Sequence, residues 1–99
     1  MRAVYIASPY TLGDVARNVR AQMDEADRII RAGDAPFWPL SSHFLHMAHP
    51  QPYETWLKLD LLWLAKCDAL VRLPGESAGA EREVAEARRL GIPVERRES

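Results

Sequence analysis

Residues 68–94 constrain this chain more than any other stretch. Asp68-Ala69-Leu70-Val71-Arg72-Leu73 reads as a buried strand, Pro74-Gly75-Glu76-Ser77-Ala78-Gly79 as a tight loop, Ala80 to Leu90 as a helix, and Gly91-Ile92-Pro93-Val94 as the start of another strand. A strand, a helix and a strand in succession imply a parallel pair joined by a right-handed crossover. The rest of the chain repeats the alternation. Ala3-Val4-Tyr5-Ile6-Ala7 is apolar throughout, as a central strand of a parallel sheet must be, and Ser8-Pro9-Tyr10 ends it. Thr11-Leu12-Gly13-Asp14 has the Thr-x-x-acid form of a helix start, and Ala16, Val19, Met23, Ala26 and Ile30 keep helical spacing up to about Ala32, where Gly33 is placed to stop it. Ala35 to Leu40 reads as a short strand flanked by prolines, hence an edge. Ser41 to Pro52 has no regular pattern, Tyr53 to Lys66 is a strong helix, and the charged tail from Arg96 to Ser99 is expected to fray.

Four strands alternating with helices imply an α/β fold: a small doubly wound parallel sheet in the order 2-1-3-4 with helices on both faces. Its switch point lies between strands 1 and 3. Ligands bind there at the carboxyl ends of the strands, which brings the Ser8 to Gly13 loop beside the Pro74 to Gly79 loop. The chain's 99 residues correspond to a single domain, 1–99, with a modest core.

Two acids stand out. On the helix after Gly79, the residues Ala80, Val84, Ala87 and Gly91 form a small apolar stripe for close packing on a sheet. Glu83 lies roughly 60° from that stripe, nearer the sheet than the other acids of the helix. Ser77 is placed to cap this helix, Gly75 and Gly79 allow close backbone approach, and the helix N-terminus offers N–H groups to an anion. A carboxylate beside such a site suits catalysis; the same burial would also serve a structural pair with an arginine. Asp60 has Trp56, Leu57, Trp63 and Leu64 three and four residues away, with Leu59 and Leu61 beside it. Burying a carboxylate there costs several kcal/mol unless it is paired or protonated. A functional site accepts that cost, and a salt bridge to Arg72 or Arg17 would be the structural alternative. Two acids converging on one cleft fit glycosidic chemistry.

Composition excludes several classes. A net charge of −1 gives no surface for a nucleic-acid polymer. The single cysteine, Cys67, excludes an internal disulfide and a cysteine metal cluster. Met1-Arg2 leads straight into a strand without a signal peptide, and no apolar run is long enough to span a membrane, so a cytoplasmic protein with no membrane partner is expected. His43-x-x-His46-x-x-His49 has metal-like spacing, but the three drift round a helix and no acid sits among them, so no metal is expected. His43 and Phe44 are placed to line a pocket mouth; partly exposed loop histidines are the bland alternative.

Several of these segments together resemble the nucleoside 2-deoxyribosyltransferase superfamily. They are Tyr5-Ile6-Ala7-Ser8-Pro9-Tyr10, Leu59-Asp60-Leu61-Leu62-Trp63-Leu64, Cys67-Asp68-Ala69-Leu70-Val71, Ser77-Ala78-Gly79-Ala80-Glu81-Arg82-Glu83 and Arg89-Leu90-Gly91-Ile92-Pro93-Val94. The small deoxyribosyltransferase-like proteins look closest, with the deoxynucleoside 5'-monophosphate N-glycosidases near relatives. The resemblance implies a flavodoxin- or Rossmann-like fold and cleavage or transfer at the N-glycosidic bond of a deoxynucleoside or its 5'-monophosphate, with no cofactor. It implies Glu83 as nucleophile, Asp60 assisting at the sugar or leaving base, and Tyr5 orienting the nucleophile. Ser77 would hold a 5'-phosphate, with Gly79, Ser8, Tyr10, Gly13 and His43 also at the substrate. The partner implied is a small nucleoside or nucleotide.

Two other readings stay open. The same fold could bind a nucleotide without turning it over, which an ion pair of Glu83 with Arg82 or Arg17 would favour. An assembly subunit with no pocket at the switch point is the third. So many large apolar groups, Trp38, Trp56 and Trp63 among them, on a domain this small also lead us to expect a homo-oligomer.

Overall fold

The computed structural model describes residues 1–98. The elements run β1 (Ala3–Ala7), α1 (Val15–Arg31), β2 (Ala35–Phe37), a 3-10 turn (Pro39–Ser42), α2 (His43–Ala48), α3 (Tyr53–Leu64), β3 (Ala69–Arg72), α4 (Ala78–Arg89) and β4 (Val94–Arg96). The four strands pair in parallel in the order β2-β1-β3-β4. Strand alternation divides the core in two. Tyr5, Ala7 and Leu70 face Ala80, Val84 and Ala87 of α4 and Leu64 at the end of α3, while Val4, Ile6 and Val71 face Ala26 and Ile29 of α1. The small stripe on α4 lets that helix lie close on the central strands.

The sequence-based expectations are corrected in four places. Asp14, not Thr11, caps α1, accepting from the N–H of Arg17 at 3.1 Å. The buried stripe of α1 is Gln22, Glu25, Ala26 and Ile29, while Met23 and Ile30 are exposed. β2 ends at Phe37, because Pro39 starts a 3-10 turn, and the segment expected to be irregular contains α2. The tail is tied down through Arg97, whose N–H donates to Arg72 O at 2.9 Å; Ser99 lies outside the described residues. Alternation along β4 explains the tie. Arg96 reaches Glu81 on the α4 side at 3.1 Å, and Arg97 reaches Glu25 on the α1 side at 3.2 Å.

Arg72, only 4% exposed, ends the buried strand with a charge. Its Nε donates to Glu81 at 2.9 Å, Nη2 donates to Gly75 O at 2.8 Å, and Nη1 donates to Leu73 O. A buried guanidinium thus closes the loop between β3 and α4 and sets where α4 begins. Among the described residues no helix is long and apolar enough to cross a membrane.

Gly75 joins this loop to the one after β1. Its φ is +116°, and a Cβ there would stand 2.7 Å from Cγ of Pro9. Gly75→Ala meets both backbone strain and that ring, and is expected to cost on the order of 2 kcal/mol. An unchanged urea midpoint for the variant would contradict this packing.

Candidate active site

A cleft of about 580 Å³ opens at the carboxyl ends of β1 and β3, where the strand order reverses. One side is the start of α4, another is α3, a third is the loop after β1, and α2 overhangs the mouth. Glu83 and Asp60 both line it.

Glu83 comes from the second turn of α4 and is 8% exposed. Its Oε2 accepts a hydrogen bond from the Tyr5 hydroxyl, with no other hydrogen bond to the carboxyl among the described residues. Burial pushes the Glu83 carboxyl up to about 8; the Tyr5 hydroxyl and the Arg72 guanidinium pull it down, and the negative charge of Asp60 pushes it further up. Tyr5 stands in the centre of β1, fully buried, its ring stacked on Phe37 with centroids 5.5 Å apart. Burial, with the charge of Glu83, holds its hydroxyl far above the usual phenol range, so it remains a proton donor to Glu83. Tyr5 does not line the cleft. It was expected to orient the nucleophile, and its hydroxyl reaches the cleft only through Glu83, because it points from the strand into the underside of α4.

Asp60 faces the cleft from α3, and burial alone pushes its carboxyl up to about 7. Neither structural partner materialises. Arg72 is taken by Glu81 at 2.9 Å, Arg17 lies 3.9 Å from Asp14, and Asp60 has no ion pair or hydrogen bond among the described residues. Arg82 does not lock Glu83 either; it pairs with Glu54 at 3.1 Å and lies over the Tyr53 ring.

At the start of α4, Ser77 Oγ accepts from the N–H of Ala80 at 3.0 Å. The first helical N–H groups, those of Ala78 and Gly79, have no intrahelical partner and border the cleft. A Cβ at Gly79 would lie 2.9 Å from the Tyr53 hydroxyl, the far end of a half-exposed side chain, so the glycine lets Tyr53 close over the start of α4.

In the loop after β1, Ser8 and Tyr10 line the cleft with His43, whose Nδ1 is 2.6 Å from the Tyr10 hydroxyl. Gly13 does not line it: with φ +92° it turns the chain outward before the Asp14 cap, and Thr11 and Leu12 take the wall. Among the described residues no cluster of three His, Cys, Asp or Glu side chains is placed to hold a metal ion.

Two residues were missed. Gln22, fully buried at the back of the cleft, donates from Nε2 to Ser8 Oγ at 2.9 Å and to Ile6 O at 3.3 Å, and accepts from the N–H of Leu40 at 3.0 Å. It joins β1, its loop and the 3-10 turn. Its place in the i, i+3, i+4, i+7 stripe Gln22-Glu25-Ala26-Ile29 is the signal that could have found it. His46, read only for metal spacing, lines the wall and accepts from Trp56 Nε1 at 2.7 Å.

Comparison with known proteins finds a family and a shared fold. Residues 2–97 match a family described as a domain of unknown function (DUF7768). No curated protein sequence matches the chain. Among solved structures, a 2-deoxyribosyltransferase from Bacillus psychrosaccharolyticus superposes with a TM-score of 0.68 at 20% identity, covering 95% of this chain and 70% of that one. The two share a fold.

The buried acid has a measurable consequence. Its folded value, about 8, lies above the ordinary 4.5, so folding takes up a proton between those pH values. Stability from this group is complete below the ordinary value and is lost as pH rises through about 8. Glu83→Gln removes that loss. The variant should equal the wild type in urea unfolding near pH 4.5 and exceed it near pH 9 by on the order of 2 kcal/mol. A gap that shrinks with rising pH would contradict burial of the carboxyl.

Proposed function

The chain belongs to the DUF7768 family, and we propose that it cleaves, or transfers across, the N-glycosidic bond of a 2'-deoxynucleoside or its 5'-monophosphate. The observation that carries this is the pair of acids on one open cleft, where among the described residues Glu83 has only a tyrosine hydroxyl as partner and Asp60 has none. The shared fold with a 2-deoxyribosyltransferase supports it.

Glu83, ionised, attacks the anomeric carbon while the bond to the base breaks and its electron pair leaves with the base. Asp60, protonated, delivers a proton to the departing nitrogen. Water, returning a proton to Asp60, then releases the sugar from the glycosyl ester, or a second base takes its place. Tyr5 orients Glu83 and withdraws charge from it. Ser77, with the N–H groups of Ala78 and Gly79, faces the 5' end of the substrate, and Ser8, Tyr10 and His43 complete the wall. No cofactor enters the scheme.

Catalysis needs Glu83 ionised and Asp60 protonated, although burial sets Glu83 at about 8 and Asp60 at about 7. The active form is therefore a minority, and kcat/KM should be bell-shaped with apparent values near those two, belonging to the pair. The same burial, leaving Glu83 mostly neutral near pH 7, favours the second reading, a non-catalytic nucleotide-binding module.

Leu59, Leu62 and Trp63, at helical spacing on α3, are exposed and form an apolar stripe suited to a second copy of the chain. We propose self-association through it; Trp63→Glu should shift the sedimentation coefficient downward.

The activity test is chromatographic. Deoxynucleosides and their 5'-monophosphates are incubated with and without an acceptor base. Free or exchanged base should appear with the wild type and disappear with Glu83→Gln; Asp60→Asn should lower kcat by about 10²–10⁴, and Tyr5→Phe by about tenfold. Binding without turnover across the panel would transfer the case to the binding module.

A further inference from the structure

We propose that His46 reads the leaving base, presenting a fixed Nε2–H donor that selects a nucleobase with a carbonyl oxygen at the edge facing α2. The inference rests on the N-glycosidase reading and adds the class of base.

The tautomer follows from its partners. Two N–H groups converge on His46 Nδ1: the Trp56 indole at 2.7 Å and the Gln51 backbone at 3.4 Å. Both can only donate, so Nδ1 accepts and the proton of the neutral ring sits on Nε2. Nε2 has no hydrogen bond among the described residues, yet the sole buried side-chain N or O atom without a partner there is Arg97 Nε. Nε2 is therefore accessible, on a residue that lines the cleft. His43 differs. Its Nδ1 faces the Tyr10 hydroxyl, which can donate or accept, so nothing fixes its tautomer.

Position supplies the target. Trp56 and Asp60 are four residues apart on α3, share one face and both line the cleft. Trp56 thus stands about one helical turn, about 5.4 Å, along α3 from the acid that would face the glycosidic nitrogen, and the histidine bonded to its indole lies on the same wall of the cleft. A donor at that offset addresses the same base away from its bond to the sugar. A carbonyl oxygen there completes Nε2–H. An exocyclic amino group sets donor against donor and leaves both without a partner, the arrangement that discriminates between otherwise isosteric ligands.

The test uses two pairs that exchange one amino group for one carbonyl: deoxyadenosine against deoxyinosine, and deoxycytidine against deoxyuridine, as nucleosides and as 5'-monophosphates. Equilibrium binding is measured for the wild type, His46→Phe and Trp56→Phe. In at least one pair the wild type should favour the carbonyl member by about tenfold, and His46→Phe should bring the ratio near one. Trp56→Phe leaves the imidazole but only the long Gln51 contact on Nδ1, so the tautomer is held less firmly and the amino member should gain affinity, an effect that mere loss of packing would not produce. Imidazole ¹⁵N shifts should place the wild-type proton on Nε2. A proton on Nδ1, or the same ratio in all three proteins, overturns the role of His46 alone. Failure of the wild type to bind any member removes the N-glycosidase reading and this inference with it.

Discussion

Everything at the cleft depends on the hydrogen bond between the Tyr5 hydroxyl and the Glu83 carboxyl. A carboxylate buried without a partner would cost several kcal/mol. One hydroxyl supplies a donor but no charge, so Glu83 stays close to its neutral form without being locked into an ion pair. That balance requires Tyr5 in the middle of a central strand, where among the described residues its hydroxyl bonds to Glu83 alone. It also requires a helix near enough to touch the strand, which the stripe Ala80, Val84 and Ala87 permits. A larger residue on that stripe would lift Glu83 off its partner.

The charges that would otherwise disturb this arrangement are used elsewhere. Arg72 shares the sheet face of Tyr5, but Glu81 and two loop carbonyls occupy its guanidinium. It fixes the start of α4 and contributes only a distant pull on Glu83. Arg82 is drawn outward by Glu54. The two loops at the strand ends are held against each other by Pro9 on Gly75, and Gln22 ties the first of them to the 3-10 turn. The α2 wall is built differently. None of its residues is fully buried, and the bond from Trp56 to His46 joins it to α3. A rigid floor with a polar-tethered wall suits a site whose chemistry is constant and whose ligand is chosen at the rim.

Much of this was legible in the chain. The unbroken apolar run Ala3–Ala7, the small stripe on α4 and the Ser77 cap are local patterns, and each led to the correct element. The strand order followed from alternation and handedness. Asp60 stood out because every neighbour at helical spacing was apolar. Where the reading failed, a residue had been given the wrong surroundings: Met23 and Ile30 were read into the apolar stripe of α1 that Gln22 and Glu25 share with Ala26 and Ile29. Thr11 was read as a cap that Asp14 provides, and Gly13 as part of a wall made by Thr11 and Leu12. Arg97 was assigned to a frayed tail although it reaches Glu25 on α1.

The sequence by itself determined which segments become strands and helices, their order in the sheet, and that acids would gather at the switch point. These follow from periodicity, turn chemistry and chain handedness, which act over a few residues or on the path as a whole. Only the tertiary structure decided the state of those acids. Tyr5 meets Glu83 across 78 positions, Arg97 meets Glu25 across 72, and Trp56 meets His46 from another helix. A side chain's charge or tautomer is set by the one or two groups that share its low-dielectric surroundings, and chain folding alone chooses those neighbours.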